Sequence, residues 1–227
     1  MNKLKAFVRL DFITIKPYFT VKNLMIYGIV ALFLIISSSG PASSIGVGFI
    51  IAMGSMFVGY PFALGEKNGM DTLYATLSLS RKNVVLGRYL FTLTLNLCTV
   101  LLSLVLAVIG ILVTRTSGFI ETAVETLLAS IVFAAMFLVI QAVQLPLYFK
   151  LGYSKAKFFS MIPFVVVMAG FGVFYSLAED SEAFNRVFGF FNTMNSFWFI
   201  ACVVLALLLV VFTSYSLSFS FYRKREF

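Results

Sequence analysis

Long apolar runs alternate with short polar segments along almost the whole chain. About 20 apolar residues are needed for a helix to cross the roughly 30 Å hydrocarbon core of a bilayer. Six runs are candidates for such helices, the first of them short, at about residues 24–38, 45–64, 84–114, 123–149, 158–178 and 196–221. The pattern therefore predicts an all-α integral membrane protein with six transmembrane helices.

A polar island interrupts this pattern from Ala63 to Leu90, with the sequence ALGEKNGMDTLYATLSLSRKNVVLGRYL. It contains both charge signs between two apolar runs, so it must lie in water beside the membrane. Within it, one face of a helix is apolar, formed by Met70, Leu73, Tyr74 and Leu77. The island predicts a short amphipathic helix begun by Asn68 or Asp71, then a long helix capped by Ser80. An apolar face outside the membrane needs a partner.

Two further segments outside the six runs are amphipathic. In the first 22 residues, apolar and basic positions separate onto different sides, Leu4, Val8, Phe12, Ile15 and Phe19 against Lys5, Arg9 and Lys16. This predicts a helix lying along the cytoplasmic membrane surface and ending or kinking at Pro17, with a solvated basic tail as the alternative. Between the last two runs, Phe184, Val187, Phe188 and Phe191 predict a short helix at the outer leaflet.

The composition agrees with a membrane protein and removes several kinds of chemistry. Hydrophobic residues make up 61% and charged residues 11% of the 227 positions, against about 45–50% and about 25% in soluble proteins. Histidine is absent, which excludes His-based acid-base catalysis and the commonest transition-metal ligand. Cys98 and Cys202 lie in apolar runs and are expected to be buried thiols. No phosphate-binding glycine loop is present, so no nucleotide site is expected in this chain. We expect it to be neither an enzyme nor a metal-binding protein.

The basic residues determine the predicted orientation. In the six-span arrangement, 15 of the 17 Lys and Arg residues fall on one side, and only Arg115 and Arg186 fall on the other. Positively charged loops stay in the cytoplasm, so both termini are predicted to be cytoplasmic. The net charge of +8 is spread over the ends of apolar runs, which does not favour nucleic acid binding. We expect an interfacial segment at 1–22, the transmembrane domain at 23–222 and a basic tail at 223–227.

Polar groups inside the predicted spans are few and uncharged. The amides Asn96, Gln141 and Gln144 lie at mid-membrane, where they either join helices by hydrogen bonds or face a translocation path. Ion-coupled transport normally needs ionisable side chains there, and their absence disfavours it. In the second span, small residues suited to helix packing recur at Gly48, Ala52, Ser55 and Gly59.

The polar island resembles the type-2 ABC exporter permeases, the membrane subunits of ATP-driven export machines. That family has an acidic residue and a glycine after the second span, a Leu-Pro-x-Ser-Arg-Lys-like element, and a helix with a Gly-Lys or Gly-Arg pair. This chain has Ser78 where the family often has proline. The matching residues are Glu66, Gly69, Asp71, Leu73, Leu77, Leu79, Ser80, Arg81, Lys82, Val85, Gly87, Arg88 and Tyr89.

The resemblance implies a function and a set of partners. The island would dock on cytoplasmic ABC ATPase subunits, which would bind ATP and Mg²⁺, while this chain would hold no cofactor. The residues expected to couple to the ATPase are Glu66, Gly69, Met70, Asp71, Leu73, Leu77, Arg81 and Lys82. A second permease copy or a paralogue would complete the exporter in a bacterial plasma membrane. An amphipathic or hydrophobic substrate, with peptide favoured, is the expected cargo. The rival hypothesis is a non-transporting scaffold or immunity-type peptide-binding protein.

Overall fold

The structure is a computed structural model, and it describes residues 3–18, 20–37, 43–69, 80–114, 118–167, 169–170 and 196–224. These residues form helices and short turns, with no strand among them. The helices are α1 Lys3–Ile15, α2 Val21–Ser37, α3 Ser43–Met56, α4 Tyr60–Lys67, α5 Arg81–Thr114, α6 Phe119–Leu151, α7 Tyr153–Phe159, α8 at 161–167 and α9 Ser196–Arg223. The all-α prediction is confirmed.

Within the part of the chain that the structure describes, four helical segments are long and apolar enough to cross a membrane: Ile45–Lys67, Arg81–Thr114, Phe119–Leu151 and Ile200–Arg223. They correspond to the predicted second, third, fourth and sixth spans. α2 is apolar but shorter, at 17 residues. The predicted fifth span is described only in part, and the outer-leaflet segment around Phe184 and the helix at 70–77 lie outside the described residues. The six-span count and the division at 1–22, 23–222 and 223–227 therefore stay predictions.

Tyr60 and Pro61, near the inner end of the predicted second span, indicate a bend from the sequence, and the helix is interrupted just before them. A 3-10 turn at Phe57–Gly59 separates α3 from α4, and the Tyr60 N–H donates to the Phe57 carbonyl. Pro61 has no N–H to donate to the same carbonyl in the α-helical pattern, so the tighter turn replaces it. α4 then ends at Asn68, and Gly69 has a φ of 60°. Asn68 therefore caps the C-terminus of α4, and the next helix, which Asn68 or Asp71 is predicted to begin, lies outside the described residues.

α1 packs along the beginning of α5 and also contacts α4. Its most buried side chains are Phe7, Asp11 and Ile15, while Lys5 and Arg9 are exposed. The buried side of α1 is therefore rotated relative to the predicted apolar side, because Leu4, Val8 and Phe12 are only half-buried. Phe19 lies outside the described residues. α1 ends directly before a 3-10 turn that contains Pro17, as the sequence predicts.

The core has two parts. The larger lies at the end of the bundle that carries α1, which we call the α1 end, and joins α1 to α5, α6 and α9. The smaller joins α3, α5 and α6 through Val47, Ile51, Ala107, Phe137 and Ile140. Helices in a membrane associate through close van der Waals packing and interhelical hydrogen bonds, because lipid is as apolar as the side chains. Both parts therefore depend on close helix contact.

The outward faces of the long helices expose many large apolar side chains, among them Leu97 and Leu101 of α5 and Leu208 and Phe212 of α9. Such faces are suited to contact with lipid. Cys98 and Cys202 are also exposed, so the prediction that these thiols are buried is wrong. An apolar run predicts a membrane helix but leaves open which side of it faces the neighbouring helices.

Candidate coupling site at the α1 end

Arg88 is a charged side chain near the beginning of α5, and it is 4% exposed. Its Nη1 atom donates to Asp11 Oδ1 of α1 at 2.8 Å. The guanidinium also lies between two aromatic rings, 4.8 Å from the centroid of Phe62 and 5.4 Å from that of Phe7. Cation–π contacts of this kind are strengthened by desolvation. We call Phe7, Asp11, Phe62 and Arg88 the Arg88 cluster; it holds α1, α4 and α5 together.

The backbone of α5 is shaped to receive α1 at this point. A Cβ atom at Gly87 would collide with the Phe7 ring, so only glycine allows α1 to lie so close. Phe12 of α1 adds an edge-to-face contact with Phe91 of α5, with ring centroids 4.9 Å apart. The Gly-Arg pair of the island therefore has a local role: glycine admits α1, and arginine binds it.

The carboxyl group of Asp11 is in an unfavourable environment for a charge. Burial raises its pKa from 3.8 to about 6, and the positive charge of Arg88 opposes that rise. Its second oxygen, Oδ2, has no hydrogen-bond partner among the described residues. A buried ion pair recovers its desolvation cost only when its remaining polar atoms are also satisfied. The Asp11–Arg88 pair is therefore held in place by its surroundings and is not a source of large stability.

Glu66, near the end of α4, contacts the polar segment that follows α6. Its Oε2 accepts a hydrogen bond from the Ser154 N–H at 3.0 Å. Ser154 lies in the first turn of α7, where backbone N–H groups have no partner within the helix and a negative charge is favourable. Glu66 therefore fixes the start of the second polar segment to the end of the predicted second span.

Arg81, the first residue of α5, contacts the last turn of α9. Its Nη1 donates to the Arg223 carbonyl and lies 3.5 Å from the Tyr222 carbonyl. A cation at a helix C-terminus satisfies the unpaired carbonyls and complements the helix dipole. The ring of the same Tyr222 packs edge-to-face on Phe149 of α6. The beginning of α5 is thus tied to the C-terminal end of the chain.

The predicted cap of α5 and the remaining predicted coupling residues belong to the segment between α4 and α5 or lie at its ends. Ser80 Oγ accepts from the Asn83 N–H at 3.2 Å, so the predicted cap of α5 is confirmed. Lys82 is exposed. Met70, Asp71, Leu73 and Leu77 lie outside the described residues, between Gly69 and Ser80. We call residues 70–79 the loop; Glu66, Arg81 and Arg88 are close to its two ends in sequence.

The predicted mid-membrane amides fall into two groups. Asn96 and Gln141 exchange two hydrogen bonds, at 2.6 and 3.0 Å, and Gln141 Nε2 also donates to Ser55 Oγ at 3.0 Å. These three side chains, which we call the amide cluster, are buried and join α3, α5 and α6. Gln144 is separate, because its Nε2 donates to the Ser160 carbonyl at 2.9 Å.

The small residues predicted for helix packing lie along α3 and the turn after it. A Cβ atom at Gly48 would press on the Phe133 ring of α6, and one at Gly59 would lie 3.1 Å from the Tyr153 ring. Ala52 packs against the smaller core. Ser55 belongs to the amide cluster. The stripe therefore faces α6 and α7, with its polar member used for a hydrogen bond.

The family of ABC-2 family transporter proteins matches residues 7–223. The chain belongs to this family. Its members are membrane components of ABC transporters, so the chain is a transmembrane permease and is not itself catalytic. The family also implies association with ATPase subunits and a multi-pass position in a membrane. No curated protein and no solved structure matches the chain.

Three members of the Arg88 cluster, Asp11, Phe7 and Phe62, were not predicted from the sequence of the permease as site residues. One signal was available for Asp11, since it is the only acidic residue among the first 22 and is spaced four residues from both Phe7 and Ile15. Tyr89 was named only through the family resemblance, and the sequence did not predict its contacts: its hydroxyl lies 2.5 Å from Ser214 Oγ and 2.8 Å from Ser218 Oγ. These two serines are one helical turn apart, and they attach α9 to α5.

Proposed function

We propose that this permease is the transmembrane subunit of an ATP-driven exporter, energised by separate cytoplasmic ATPase subunits and paired with a second permease copy or a paralogue. The observation that carries the proposal is the arrangement at the α1 end. The helices that flank the loop at 70–79 are attached there to α1, α7 and α9 by Arg88, Glu66 and Arg81. A movement applied to the loop would therefore reach α1, α7 and α9 as well as the two flanking helices, α4 and α5.

The coupling mechanism follows from these attachments. We propose that the loop docks on the ATPase through Met70, Leu73 and Leu77, whose spacing places them on one helical face. ATP-driven closure of the ATPases would push on the loop, and α4 and α5 would move with α1 and the beginning of α7. Packed helices move as rigid bodies between a few arrangements, which gives alternating access.

The orientation rests on charge. With 15 of 17 basic residues on one side, the termini, the loop and the segment around Lys155 are proposed to face the cytoplasm of a bacterium. The apolar exposed faces of α5, α6 and α9 would then contact the lipid of the plasma membrane. α1, with its basic outer side, would lie along the cytoplasmic surface.

The proposed cargo is amphipathic or hydrophobic, with peptide favoured. From Tyr89 to Thr114 the chain has no charged residue, so α5 offers nothing to hold a strongly ionic solute at membrane depth. Asn96, Gln141 and Gln144 remain the proposed polar contacts of the path. Their amides are now engaged with protein groups, so cargo would meet them only where the helices rearrange.

The deciding experiment is co-purification with an ATPase encoded next to the permease, followed by ATPase measurements on the reconstituted complex. Leu73→Asp with Leu77→Asp should abolish binding and transport while the permease still inserts. The matched control is Thr72→Asp with Ala75→Asp, on the opposite side of the predicted helix.

The cargo is tested on the same reconstituted complex, where amphipathic peptides are expected to stimulate ATP hydrolysis. Stimulation by small sugars alone, or binding that survives the Leu double change, would contradict the proposal.

A further inference from the structure

An apolar cavity of about 270 Å³ lies between α2, α3 and α5. Tyr27 and Gly28 form its wall on α2, Met53 and Phe57 contribute from α3 and the turn after it, and Leu102 and Leu106 from α5. It lies more than two turns along α5 from the Arg88 cluster and shares no residue with it or with the amide cluster. Neither site described above accounts for it.

Two glycines create the space. A Cβ atom at Gly54 would collide with Thr99, so α3 and α5 meet there and close the back of the cavity. A Cβ atom at Gly28 would meet nothing within 4 Å. Gly28 lines the cavity, so a larger side chain at this position would meet open space and displace no backbone.

The walls of the cavity are almost entirely apolar. The Thr99 hydroxyl already donates to the Asn96 carbonyl at 2.9 Å. None of the described residues that line the cavity is charged. A buried water needs two to four polar partners, and an apolar cavity of about 150 Å³ stays dry and takes a benzene-sized ligand. An occupant of this cavity would therefore be apolar, and the volume admits a group larger than benzene.

The exposed side chains around the cavity identify the medium beside it. Leu102, one of the lining residues, is 46% exposed, and the residues next to lining positions on all three helices, Ile29, Met56 and Val105, are exposed apolar side chains. In a membrane permease such faces contact hydrocarbon. A flexible hydrocarbon chain fills an irregular void and regains the van der Waals contacts that an empty cavity lacks.

We propose that this cavity is a binding site for one acyl chain of a membrane phospholipid. The site goes beyond the proposed transport of cargo, and it requires only that the permease lies in a bilayer. The bound chain would act as a filler between α2 and the α3–α5 pair and would hold α2 at its present distance from α5.

The test uses the full permease in vesicles of phosphatidylethanolamine and phosphatidylglycerol that contain a phospholipid with a photoreactive diazirine in the middle of one acyl chain. After illumination, mass spectrometry maps the adducts. Adducts on the cavity residues Met53 and Leu102 should exceed, several-fold, those on Val204 and Leu208, which lie on the exposed apolar face of α9. Equal labelling of cavity and face would overturn the proposal.

Two variants sharpen the comparison. Gly28→Leu should reduce the cavity adducts several-fold and leave the α9 adducts unchanged. Gly170→Leu is the matched control, because a Cβ atom there also meets nothing within 4 Å and the position is outside the cavity; it should change neither. Cavity labelling that survives Gly28→Leu would also overturn the proposal. Should Gly28→Leu fail to insert, the comparison of cavity with α9 in the unchanged chain decides alone.

Discussion

Asp11 and Arg88 are 77 positions apart in the chain and form a buried ion pair, with 2.8 Å between Asp11 Oδ1 and Arg88 Nη1. One partner belongs to the amphipathic helix that precedes the first apolar helix, and the other to the helix that follows the loop. The pair therefore connects the surface helix α1 directly to the segment that we propose receives force from the ATPase.

Breaking one side of this pair should be more harmful than removing both charges. Asp11→Leu leaves the Arg88 charge without its carboxylate, and such a loss costs about 3–5 kcal/mol in buried pairs. The double change Asp11→Leu with Arg88→Met should recover most of that stability, because it replaces the pair by apolar groups of similar volume. Thermal unfolding of the purified permease measures both effects.

Transport assays on the same variants distinguish a structural role of the Asp11–Arg88 pair from a role in coupling to the ATPase. If the pair transmits movement, the double variant should be stable and bind ATPase but export poorly. Arg9→Met, which removes an exposed cation on α1, is the control and should change neither property. A double variant with full transport would show that the pair serves only to position α1.

The stability of the α1 contact should depend on pH through Asp11. Its pKa of about 6 in the folded chain is raised above 3.8 by burial, so the folded state binds the proton more tightly. This contribution is fully present below the unfolded pKa and is lost as pH rises through about 6. The difference corresponds to at most about 3 kcal/mol. After correction for intrinsic exchange rates, amides in residues 3–15 should therefore be more strongly protected from hydrogen exchange at pH 5 than at pH 7.5.

Asp11→Asn is the control for the pH experiment. The asparagine side chain does not titrate, and Arg88 remains charged at both pH values, so the difference in exchange between the two pH values should disappear after correction for intrinsic rates. A difference that persists unchanged in this variant would assign the pH dependence to another group.

Glu66 should matter more for transmission than for assembly. Glu66→Ala removes the acceptor of the Ser154 N–H, and losing a comparable helix-capping bond costs about 0.5–2 kcal/mol. We expect the ATPase to bind normally and cargo-stimulated ATP hydrolysis to fall. Glu121→Ala is the matched control, since Glu121 is an exposed acid in the first turn of α6. Equal effects of the two changes would contradict a specific role of Glu66.

The amide cluster distinguishes helix association from a cargo path. Gln141→Leu leaves Asn96 and Ser55 without a partner, which costs about 1–3 kcal/mol for buried polar groups. Asn96→Leu with Gln141→Leu should cost less than the single changes add up to, since both amides are removed. If the double variant is stable and still exports its cargo, the amides only join helices; a stable variant with altered cargo preference would place them on the path.

The predicted topology can be tested chemically. Cys98 and Cys202 are exposed on the helix surfaces, so both must first be replaced. Single cysteines at Ser117 and Ser181 should then react with an impermeant thiol reagent added to intact cells, whereas one at Lys155 should react only after the cytoplasmic side is opened. Labelling of Lys155→Cys from outside would refute the orientation drawn from the basic residues.

The sequence alone determined the class of the protein and most of its helices. Apolar runs near Ile45, Val84, Ala123 and Ser196 predicted the four long spans, because a membrane helix must satisfy its backbone internally and expose apolar side chains to lipid. Local chemistry was also sufficient to predict where helices begin, end or are interrupted at Ser80, Pro17 and Pro61, because a cap or a missing N–H acts within one turn. The island residues around Glu66 and Arg88 further indicated the transporter family.

Only the tertiary structure decided which faces of these helices meet. An apolar run has no polar side to orient it, so the sequence did not show that Cys98 faces outward or that Asn96 pairs with Gln141. Asp11 shows the same limit: as an acid in a basic helix it indicates the solvent side, and only the approach of Arg88, 77 positions away, makes its burial possible. Arg88 offsets the local preference of Asp11 for solvent, and a partner so distant in the chain does not appear in the local sequence pattern.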